Sequence, residues 1–399
     1  MKKTRALALA VVLTLVVGLV LAGCQTTKPT GSAATSAAPA ASGGTIKIGA
    51  IMPMTGDVSV YGVSTSNAIK IAISEINAAG GINGKQVELV LADDENTPEK
   101  SVDCYKKLTS QDKVDVIIGS VASKCTLAIA PLAQKDGIPL ITTASTNEAV
   151  TPIGDYIFRT CFIDPFQGTV CGKFALENLK KTKAAILFDN GNDYSKGLAT
   201  EFEKAFTAGG GTITAKEAYT KDDADFSVII SKVKESAPEI IFLPDYYAKD
   251  ALITKQVRDA GLTDVIMLGG DGWDGIVGNA GLEVAGSYFS NHYDPGATDA
   301  DVVAFVKKYT AAYGEKEIPN ALAALGYDAM QIVAKAITAA GSTDKAKVRD
   351  AMKAVTGKFV TGTISFDASR NPVKSAVIVT LVKGEDGKLA AKYFATVDP

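Results

Sequence analysis

The chain has 399 residues, of which 47% are hydrophobic and 21% are charged, and its formal net charge is −3 at pH 7. This length is ample for two lobes of ordinary domain size, and no basic stripe with interleaved aromatic residues is present, which argues against nucleic acid as a partner. One histidine, five cysteines without a CxxC spacing and the lack of a GxSxG or GxxxxGK[ST] motif predict that the chain has no metal, no cofactor and no enzymatic activity.

The first predicted element is a signal segment. Lys2, Lys3 and Arg5 form a basic region, residues 6–22 are apolar, and Leu21-Ala22-Gly23 precede Cys24. This pattern resembles the lipobox of bacterial lipoproteins, in which the chain is cut before the cysteine and the cysteine is acylated. An uncleaved transmembrane anchor is the alternative interpretation.

The lipoprotein resemblance implies a signal peptide over residues 1–23 and a lipid on Cys24. Residues 24–44 are rich in Ser, Thr, Ala and Gly, and they cannot bury enough apolar surface to fold, so we predict a flexible tether. Each buried acyl methylene contributes about 0.8 kcal/mol, so several acyl chains hold a protein on a membrane. We therefore expect an extracytoplasmic protein that reaches the membrane only through its lipid anchor.

The globular sequence begins at Thr45 and alternates β-rich runs with amphipathic helical stretches. The first four strands are predicted at 45–51, 86–92, 114–119 and 138–142, and the helices between them at 64–79, 98–110 and 126–135. Because each strand is followed by a crossover helix, these elements predict a parallel sheet that is covered on both faces.

The same alternation restarts near residue 184. Strands are predicted at 184–188, 212–218, 239–243 and 265–268, and helices at 195–208, 226–236 and 249–260. Further helices are predicted at 299–313, 321–340 and 344–355, with short strands at 363–366 and 376–382. Two successive runs of this kind predict an α/β protein with two doubly wound, Rossmann-like lobes.

Two short segments have alternative interpretations. Residues 270–275 match GxGxxG after a strand, which could indicate a dinucleotide site, but Trp273 crowds that loop and the glycines that follow do not favour a crossover helix. Residues 93–96 are acidic and could suggest a cation, although they lack the glycine and the spaced acid of a calcium loop. A solvated loop at a strand end is the interpretation that we prefer for this segment.

Small polar and aromatic residues follow several predicted strands, where open α/β sheets bind their ligands. They are Tyr61, Ser123, Ala144-Ser145-Thr146, Tyr194, Tyr246 and Asp271. Hydroxyl groups and backbone amides suit a carboxylate, an acid suits an ammonium, and aromatic faces suit the carbon between them. Each residue taken alone also has a structural interpretation, such as a helix cap for Ser123, a turn for Thr146 or packing for the tyrosines.

These residues also carry a resemblance to a known family. The matching segments are Met54-Thr55-Gly56, Tyr61-Gly62, Glu75-Ile76-Asn77, Asp93-Asp94, Ala144-Ser145-Thr146, Phe158-Arg159-Thr160, Asp164-Pro165-Phe166-Gln167-Gly168 and residues 256–262. In their order and spacing they resemble the periplasmic binding protein type I superfamily, specifically the branched-chain amino acid (leucine/isoleucine/valine) substrate-binding proteins of ABC transporters.

The resemblance implies a ligand site. Ser123, Thr146 and the backbone at Ala144 and Ser145 would hold a ligand carboxylate, and Asp271 would hold its ammonium. The rings of Tyr61, Tyr194 and Tyr246 would line the cleft, and Trp273 is a possible further ligand contact. Asp271 is one methylene shorter than the glutamate of well-known leucine binders.

The resemblance also implies a discontinuous layout. Lobe one would comprise residues 45–161 plus 291–363, and lobe two 162–290 plus 364–399. The three-strand hinge between them would lie near 160–164, 287–293 and 361–366. Ligand contacts from both lobes would exist only in the shut form, so ligand would close the hinge.

The implied function is capture of an L-amino acid, branched-chain or otherwise apolar, and its delivery to an ABC permease by a monomeric protein. One alternative is the same fold with an amide or an aromatic acid as ligand, for transport or for sensing. A signalling receptor domain, whose usual mark is a C-terminal transmembrane helix, is a second. A third is an envelope interaction lipoprotein with no metabolite ligand.

Four cysteines lie in the globular part, namely Cys104, Cys125, Cys161 and Cys171. An extracytoplasmic location permits disulfides, and four cysteines allow three connectivities, among which the sequence does not choose. Free buried thiols are the alternative.

Overall fold

The computed structural model of the chain describes residues 44–398. The predicted signal peptide over residues 1–23, Cys24 and the tether up to residue 43 lie outside the described residues. Within the described part, no helix combines the length and the apolar character that a membrane span requires.

The first sheet has five parallel strands in the order β2-β1-β3-β4-β5. Its strands are β1 (Ile46–Met52), β2 (Val87–Asp93), β3 (Val116–Gly119), β4 (Leu140–Thr142) and β5 (Ile157–Arg159), and its crossover helices are α1 (Ser59–Ala78), α2 (Pro98–Ser110) and α3 (Ser123–Asp136). β1 lies between β2 and β3, with Ile48 beside Leu89 on one side and Val116 on the other. Six of the seven residues of β1 are buried, because helices cover both faces of the sheet.

The next segment builds most of a second sheet. Its elements are α4 (Asp164–Lys173), a π-helical turn (Phe174–Asn178), β6 (Lys183–Asp189), α5 (Asp193–Ala208), β7 (Thr212–Tyr219), α6 (Ser227–Glu235), β8 (Ile240–Phe242), α7 (Tyr247–Asp259), β9 (Ile266–Gly269) and β10 (Tyr288–Asn291). Strands β6 to β10 pair in parallel, as the strand–helix alternation predicted.

The chain then returns to the first sheet. It forms α8 (Ala300–Tyr313), α9 (Ala321–Ala340), α10 (Lys345–Lys353) and the antiparallel pair β11 (Thr356–Phe359) and β12 (Gly362–Ser365). Helix α9 packs closely on α1, since a Cβ atom at Gly326 would lie 2.6 Å from Thr65 Cγ2. We call the first sheet with its helices, α8 to α10 included, the first lobe.

Two C-terminal strands complete the second sheet. β13 (Ala376–Lys383) pairs antiparallel with β10, and β14 (Leu389–Val397) pairs antiparallel with β13. The resulting order is β14-β13-β10-β9-β8-β6-β7. We call this sheet with helices α4 to α7 the second lobe. The predicted α/β architecture with two wound sheets is confirmed.

Some helices and strands were not predicted because their own sequences carry a weak signal. β5 is three residues long, and α4 contains Gly168 and Gly172, which disfavour a helix. β14 is half exposed and lacks a clear alternation of apolar residues. Helix α1 begins five residues before the predicted start.

The cysteines form no disulfide among the described residues. Cys104, Cys125, Cys161 and Cys171 are all free, and all but Cys104 are buried. Burial raises the pKa of the Cys104 thiol to about 11 and the pKa of each of the other three to about 12. These thiols therefore stay protonated and poorly nucleophilic at neutral pH.

Candidate functional site

A small cavity of about 20 Å³ lies between the two lobes, beyond the carboxyl ends of strands from both sheets. Its wall comprises Pro53, Val58, Tyr61, Val121, Ala122, Ser123, Ala144 and Leu322 from the first lobe and Tyr194, Tyr246, Asp271 and Gly272 from the second. Six of the residues singled out from the sequence thus share one cavity. This position is where open α/β sheets bind small molecules.

The first-lobe wall presents a hydroxyl group and a helix N-terminus. Ser123 is the first residue of α3, and its Oγ accepts a hydrogen bond of 3.3 Å from the backbone N–H of Asn147. Thr146 is fully buried and is not part of the cavity wall. Its Oγ1 makes no hydrogen bond of ordinary distance and angle among residues 44–398, and it faces the carboxyl of Asp164.

Ala144 and Ser145 have different positions. Ala144 is half-buried and lines the cavity. Ser145 Oγ lies 2.7 Å from Thr126 Oγ1 and 2.8 Å from Thr142 Oγ1, inside the first lobe. The side chain of Ser145 therefore holds the loop in place and does not face the cavity.

Three tyrosines form one aromatic wall. Tyr194 and Tyr246 stack with ring centroids 5.4 Å apart, and Tyr61 meets Tyr246 edge-on at 5.8 Å. Burial raises the pKa of all three phenols well above the usual value. They are therefore neutral at physiological pH. Tyr61 and Tyr194 lie in the first turns of α1 and α5 and not in loops as predicted, because both helices begin earlier than predicted.

Tyr61 also connects the two lobes. Its hydroxyl donates to the backbone carbonyl of Gly272 and accepts from the backbone N–H of Tyr247 at 3.4 Å. Gly272 N–H in turn donates to Tyr194 Oη at 3.0 Å. A Cβ atom at Gly272 would lie 2.2 Å from the carbonyl oxygen of Asp245, so only glycine fits there. These bonds hold the lobes in contact across the cavity.

Asp271 follows β9 and is 4% exposed. Its Oδ1 accepts from Gln167 Nε2 at 2.9 Å, and its Oδ2 lies 2.9 Å from His292 Nε2. Burial lowers the pKa of His292, so the imidazole is neutral and donates through Nε2 to the carboxylate. Gln167 and His292 were not recognised from the sequence, because the contacts that identify them join distant segments.

Asp164 is a second acid that the sequence analysis missed as a site residue. It begins α4, and neither of its carboxyl oxygens has a hydrogen-bond partner within the described chain. Burial raises its pKa well above the usual range, and the nearby charge of Asp271 raises it further. The hydroxyl of Thr146 faces this carboxyl. Asp164 is thus a buried acid near Thr146 and Asp271, and its burial favours the protonated form.

Trp273, predicted as a possible ligand contact, lies elsewhere. Its side chain is fully buried, and its Nε1–H donates to the carbonyl of Leu243 at 2.8 Å. The indole does not line the cavity, because the short turn over residues 271–273 directs it into the second lobe. Trp273 therefore supports the loop that carries Asp271 and does not touch a ligand in this arrangement. Between that loop and β10 the chain forms a three-residue 3-10 turn, Leu282–Val284, and no α-helix.

The acidic segment at residues 93–96 is a turn at the end of β2, as expected, in which Glu95 is exposed and Asp94 is buried. Asp94 is fully buried and accepts from Ser101 Oγ at 2.9 Å, Ser120 Oγ at 2.5 Å and the backbone N–H of Asn96 at 3.0 Å. It fixes the loops beneath Ser123. Within residues 44–398 no group of three or more His, Cys, Asp and Glu side chains is placed to hold a metal ion.

Asp274 makes another contact between the lobes. Its Oδ2 accepts from the backbone N–H of Ala321, the first residue of α9, at 2.6 Å. Burial raises its pKa to about 6. The acid therefore caps a first-lobe helix from the second lobe.

Comparisons with known proteins agree with this geometry. A family model described as periplasmic binding protein matches residues 45–388. The chain is 33% identical over 330 residues to the leucine-, isoleucine-, valine-, threonine- and alanine-binding protein of Pseudomonas aeruginosa, and the match covers 81% of this chain and 86% of that relative.

Two solved structures are similar over nearly their whole length. The leucine-binding protein LivK of Thermotoga maritima has a TM-score of 0.83 and 35% identity, over 89% of this chain and 99% of that one. The branched-chain amino acid transporter substrate-binding protein LivJ of Streptococcus pneumoniae, solved with isoleucine, has a TM-score of 0.80 and 34% identity, over 88% and 99%.

Asp274 should make stability depend on pH. Burial raises its pKa from an ordinary value of 3.8 to about 6 in the folded chain, so folding favours its protonated form. This contribution is complete below pH ~4 and is lost as the pH rises through about 6, by at most about 3 kcal/mol. We expect Asp274→Asn, which cannot ionise but can still accept from Ala321, to lose less stability than wild type over this range.

Urea unfolding at pH 4, 5, 6 and 7 measures the effect. The free energy of unfolding of Asp274→Asn relative to wild type should increase by about 1–3 kcal/mol from pH 4 to pH 7. Asp57→Asn, at an exposed acid of the cleft mouth, is the control and should run parallel to wild type. A constant difference between Asp274→Asn and wild type would contradict this interpretation.

Proposed function

The chain belongs to the periplasmic binding protein family, and from that membership we propose that it captures an L-amino acid between its lobes and delivers it to an ABC permease. The observation that carries the proposal is the pairing of two kinds of polar group in one cavity. The hydroxyl of Ser123 and the helix N-terminus that Ser123 begins lie in the first-lobe wall, and the acid Asp271 lies in the second. This pairing is complementary to a zwitterion.

We assign the ligand carboxylate to the first-lobe wall. Ser123 Oγ can donate its proton, since its contact with Asn147 uses it as an acceptor. Thr146 Oγ1 is free to donate as well. The N-terminus of α3 adds the positive end of a helix dipole, and the backbone at Ala144 completes this wall.

We assign the ligand ammonium to Asp271, with Asp164 as a second acceptor. Asp271 already receives two neutral donors, which leave its negative charge uncompensated. Burial favours the protonated form of Asp164, and an approaching cation would favour its ionised form. Tyr194 lies near both acids, and its ring face can also contact the ammonium.

The rest of the cavity suits an apolar side chain. Val58, Val121 and Leu322 are buried and line the cavity together with the rings of Tyr61 and Tyr246. Burying a leucine or isoleucine side chain contributes about 1.5–3 kcal/mol. Leucine and isoleucine are named for the similar proteins described above, and we propose a branched-chain or other apolar amino acid here.

We further propose that the ligand closes a hinge. The lobes would comprise residues 45–161 plus 291–363 and residues 162–290 plus 364–399. The chain passes between the sheets three times, after β5, after β10 and after β12. In the closed arrangement the contact of Tyr61 with Gly272 crosses the cleft, and a ligand that touches both lobes stabilises that state.

The same geometry disfavours the alternative ligands. An aromatic acid without a cation would leave Asp271 unpaired in a nearly dry wall, which is costly. The site therefore supports an amino acid better than an amide or an aromatic acid.

We propose that the protein works outside the cytoplasm as a monomer, held to the membrane by a lipid on Cys24. The support is the lipobox at the N-terminus of the sequence. A tether of about twenty residues between Cys24 and the fold would let the binding protein reach its permease.

Amino acid binding should raise thermal stability. We expect at least one common L-amino acid, leucine or isoleucine foremost, to stabilise the full chain after bound ligand has been stripped. A ligand at a hundredfold its Kd contributes about 2.7 kcal/mol through linkage. A thermal-shift panel of all common amino acids measures this, and a panel with no stabilising member would contradict the proposed function.

Asp271→Ala should weaken amino acid binding by a hundredfold or more. Loss of one partner of a desolvated charge pair costs at least ~3 kcal/mol, because the ligand ammonium is left uncompensated. Asp57→Ala is the matched control at the exposed cleft mouth and should bind within a few-fold of wild type. Asp274 is unsuitable as a control because it ties the lobes together.

Titration calorimetry distinguishes the two roles of Asp271. If Asp271 has only a structural role, Asp271→Ala will have a lower melting temperature than wild type, and its affinity for the amino acid will be close to that of wild type. The matching 2-oxo acid, which lacks the ammonium, should bind wild type weakly. Tight binding of the oxo acid would remove Asp271 from the ammonium site.

Cys24→Ser should release the protein from membranes without changing ligand affinity, because the thiol is the acceptor of the lipid. Fractionation of cells into membrane and soluble material after a high-salt wash measures the release. A variant that remained in the membrane fraction would show that the anchor is not a lipid on Cys24.

A further inference from the structure

His292 is the only histidine in the chain, and it contacts Asp271, the residue to which we assign the ligand ammonium. It follows β10 directly, where the chain leaves the second sheet. Its ring packs on Phe162, near the first passage between the lobes, with centroids 3.9 Å apart. The side chain is completely enclosed, and its Nδ1 has no hydrogen-bond partner among the described residues. Its polar contact is thus the bond from Nε2 to Asp271.

Gln167 holds the other oxygen of the same carboxylate. It lies in the first turn of α4, just beyond the first passage between the lobes, and it is fully buried. The two donors approach Oδ1 and Oδ2 separately, so the carboxylate has a fixed orientation toward the cavity. Fixing an acceptor before the ligand arrives removes part of the entropy cost of binding.

We propose that His292 is a positioning residue of the ammonium subsite and that a proton on its imidazole competes with the ligand ammonium for Asp271. The inference rests on the proposed function and deepens it, since it names a regulation of the same site. Affinity for an amino acid is then highest when the imidazole is neutral and falls as the external pH falls.

The direction follows from linkage. In the free protein an imidazolium is favoured by Asp271 and disfavoured by burial and by the charge of Lys374, which are the groups that face it. When a ligand ammonium occupies Asp271, a second cation beside the same carboxylate loses that stabilisation. The free protein therefore binds the proton more tightly than the complex does, and protons oppose the ligand by at most about tenfold in affinity per pH unit.

Neighbouring groups titrate as well and must be separated from His292. Burial lowers the pKa of Lys374 to about 8, so it stays mostly charged in acid. Asp164, whose pKa is raised, becomes harder to ionise as the pH falls and would weaken binding in the same direction. Affinity measured against pH in wild type alone therefore does not isolate the histidine.

The single histidine allows a direct measurement. The full chain, labelled with 15N-histidine and expressed without a histidine tag, gives one imidazole spectrum, which is followed from pH 4.5 to 8 with and without saturating L-leucine. We expect the Nε2–H tautomer at neutral pH and a lower imidazole pKa in the complex than in the free protein. An imidazole pKa that L-leucine does not move, or an Nδ1–H tautomer, would overturn the proposal.

Variants test the same inference by calorimetry. His292→Gln keeps a donor but cannot titrate, so its affinity for L-leucine should fall less from pH 7.5 to pH 5 than that of wild type, by about threefold or more. Gln167→Met removes the other donor and should lower affinity about tenfold at pH 7.5 while retaining the wild-type slope. Identical slopes for His292→Gln and wild type would overturn the proton competition.

The proposed function and the role of His292 can be tested separately. If wild type binds no L-leucine at pH 7.5, both the proposed function in its branched-chain form and the role of His292 are wrong. If wild type binds L-leucine and the imidazole signal is unchanged by it, only the role of His292 is wrong. The spectrum is recorded on the wild-type protein, so the result does not depend on a variant that folds.

Discussion

The burial of Asp271 is the constraint on which the cleft depends. A carboxylate that is nearly removed from water requires hydrogen bonds or an opposite charge. Gln167 and His292 supply the hydrogen bonds, and both are neutral, so the negative charge remains for a ligand cation. Gln167 and His292 therefore fix the orientation of the Asp271 carboxylate, and both residues lie next to segments where the chain passes between the lobes. The contacts that orient this carboxylate thus also involve the passages between the lobes.

Four consecutive residues, 271–274, link the cavity to the contacts between the two lobes. Asp271 faces the ligand space, the carbonyl of Gly272 receives Tyr61 from the first lobe, and Asp274 caps α9 of that lobe. Between them, Trp273 fixes the turn inside the second lobe. A shift of this turn would move the Asp271 carboxylate and both interlobe bonds together, because the short 3-10 turn leaves little freedom between them.

The sequence predicted the parts of the site that obey a general rule and missed those that depend on tertiary contacts. Tyr61, Ser123 and Asp271 follow strands, and strand ends of a wound sheet converge on one cleft. Leu322 lies in the long, mostly buried helix α9, where nothing in the pattern marks one apolar residue as lining a cavity. Asp164 stands before a proline and resembles an ordinary helix start, and only its complete burial without a partner distinguishes it.

The position of Trp273 has a consequence for spectroscopy. It is the only tryptophan in the chain, and it is fully enclosed two residues from Asp271, beneath the turn that joins the lobes. The intrinsic indole emission of this protein therefore arises from one site and from a single, dry environment. The fluorescence of Trp273 therefore reports on the loop that carries Asp271, and it can be used to follow opening of the cleft in the native protein without a dye or a label.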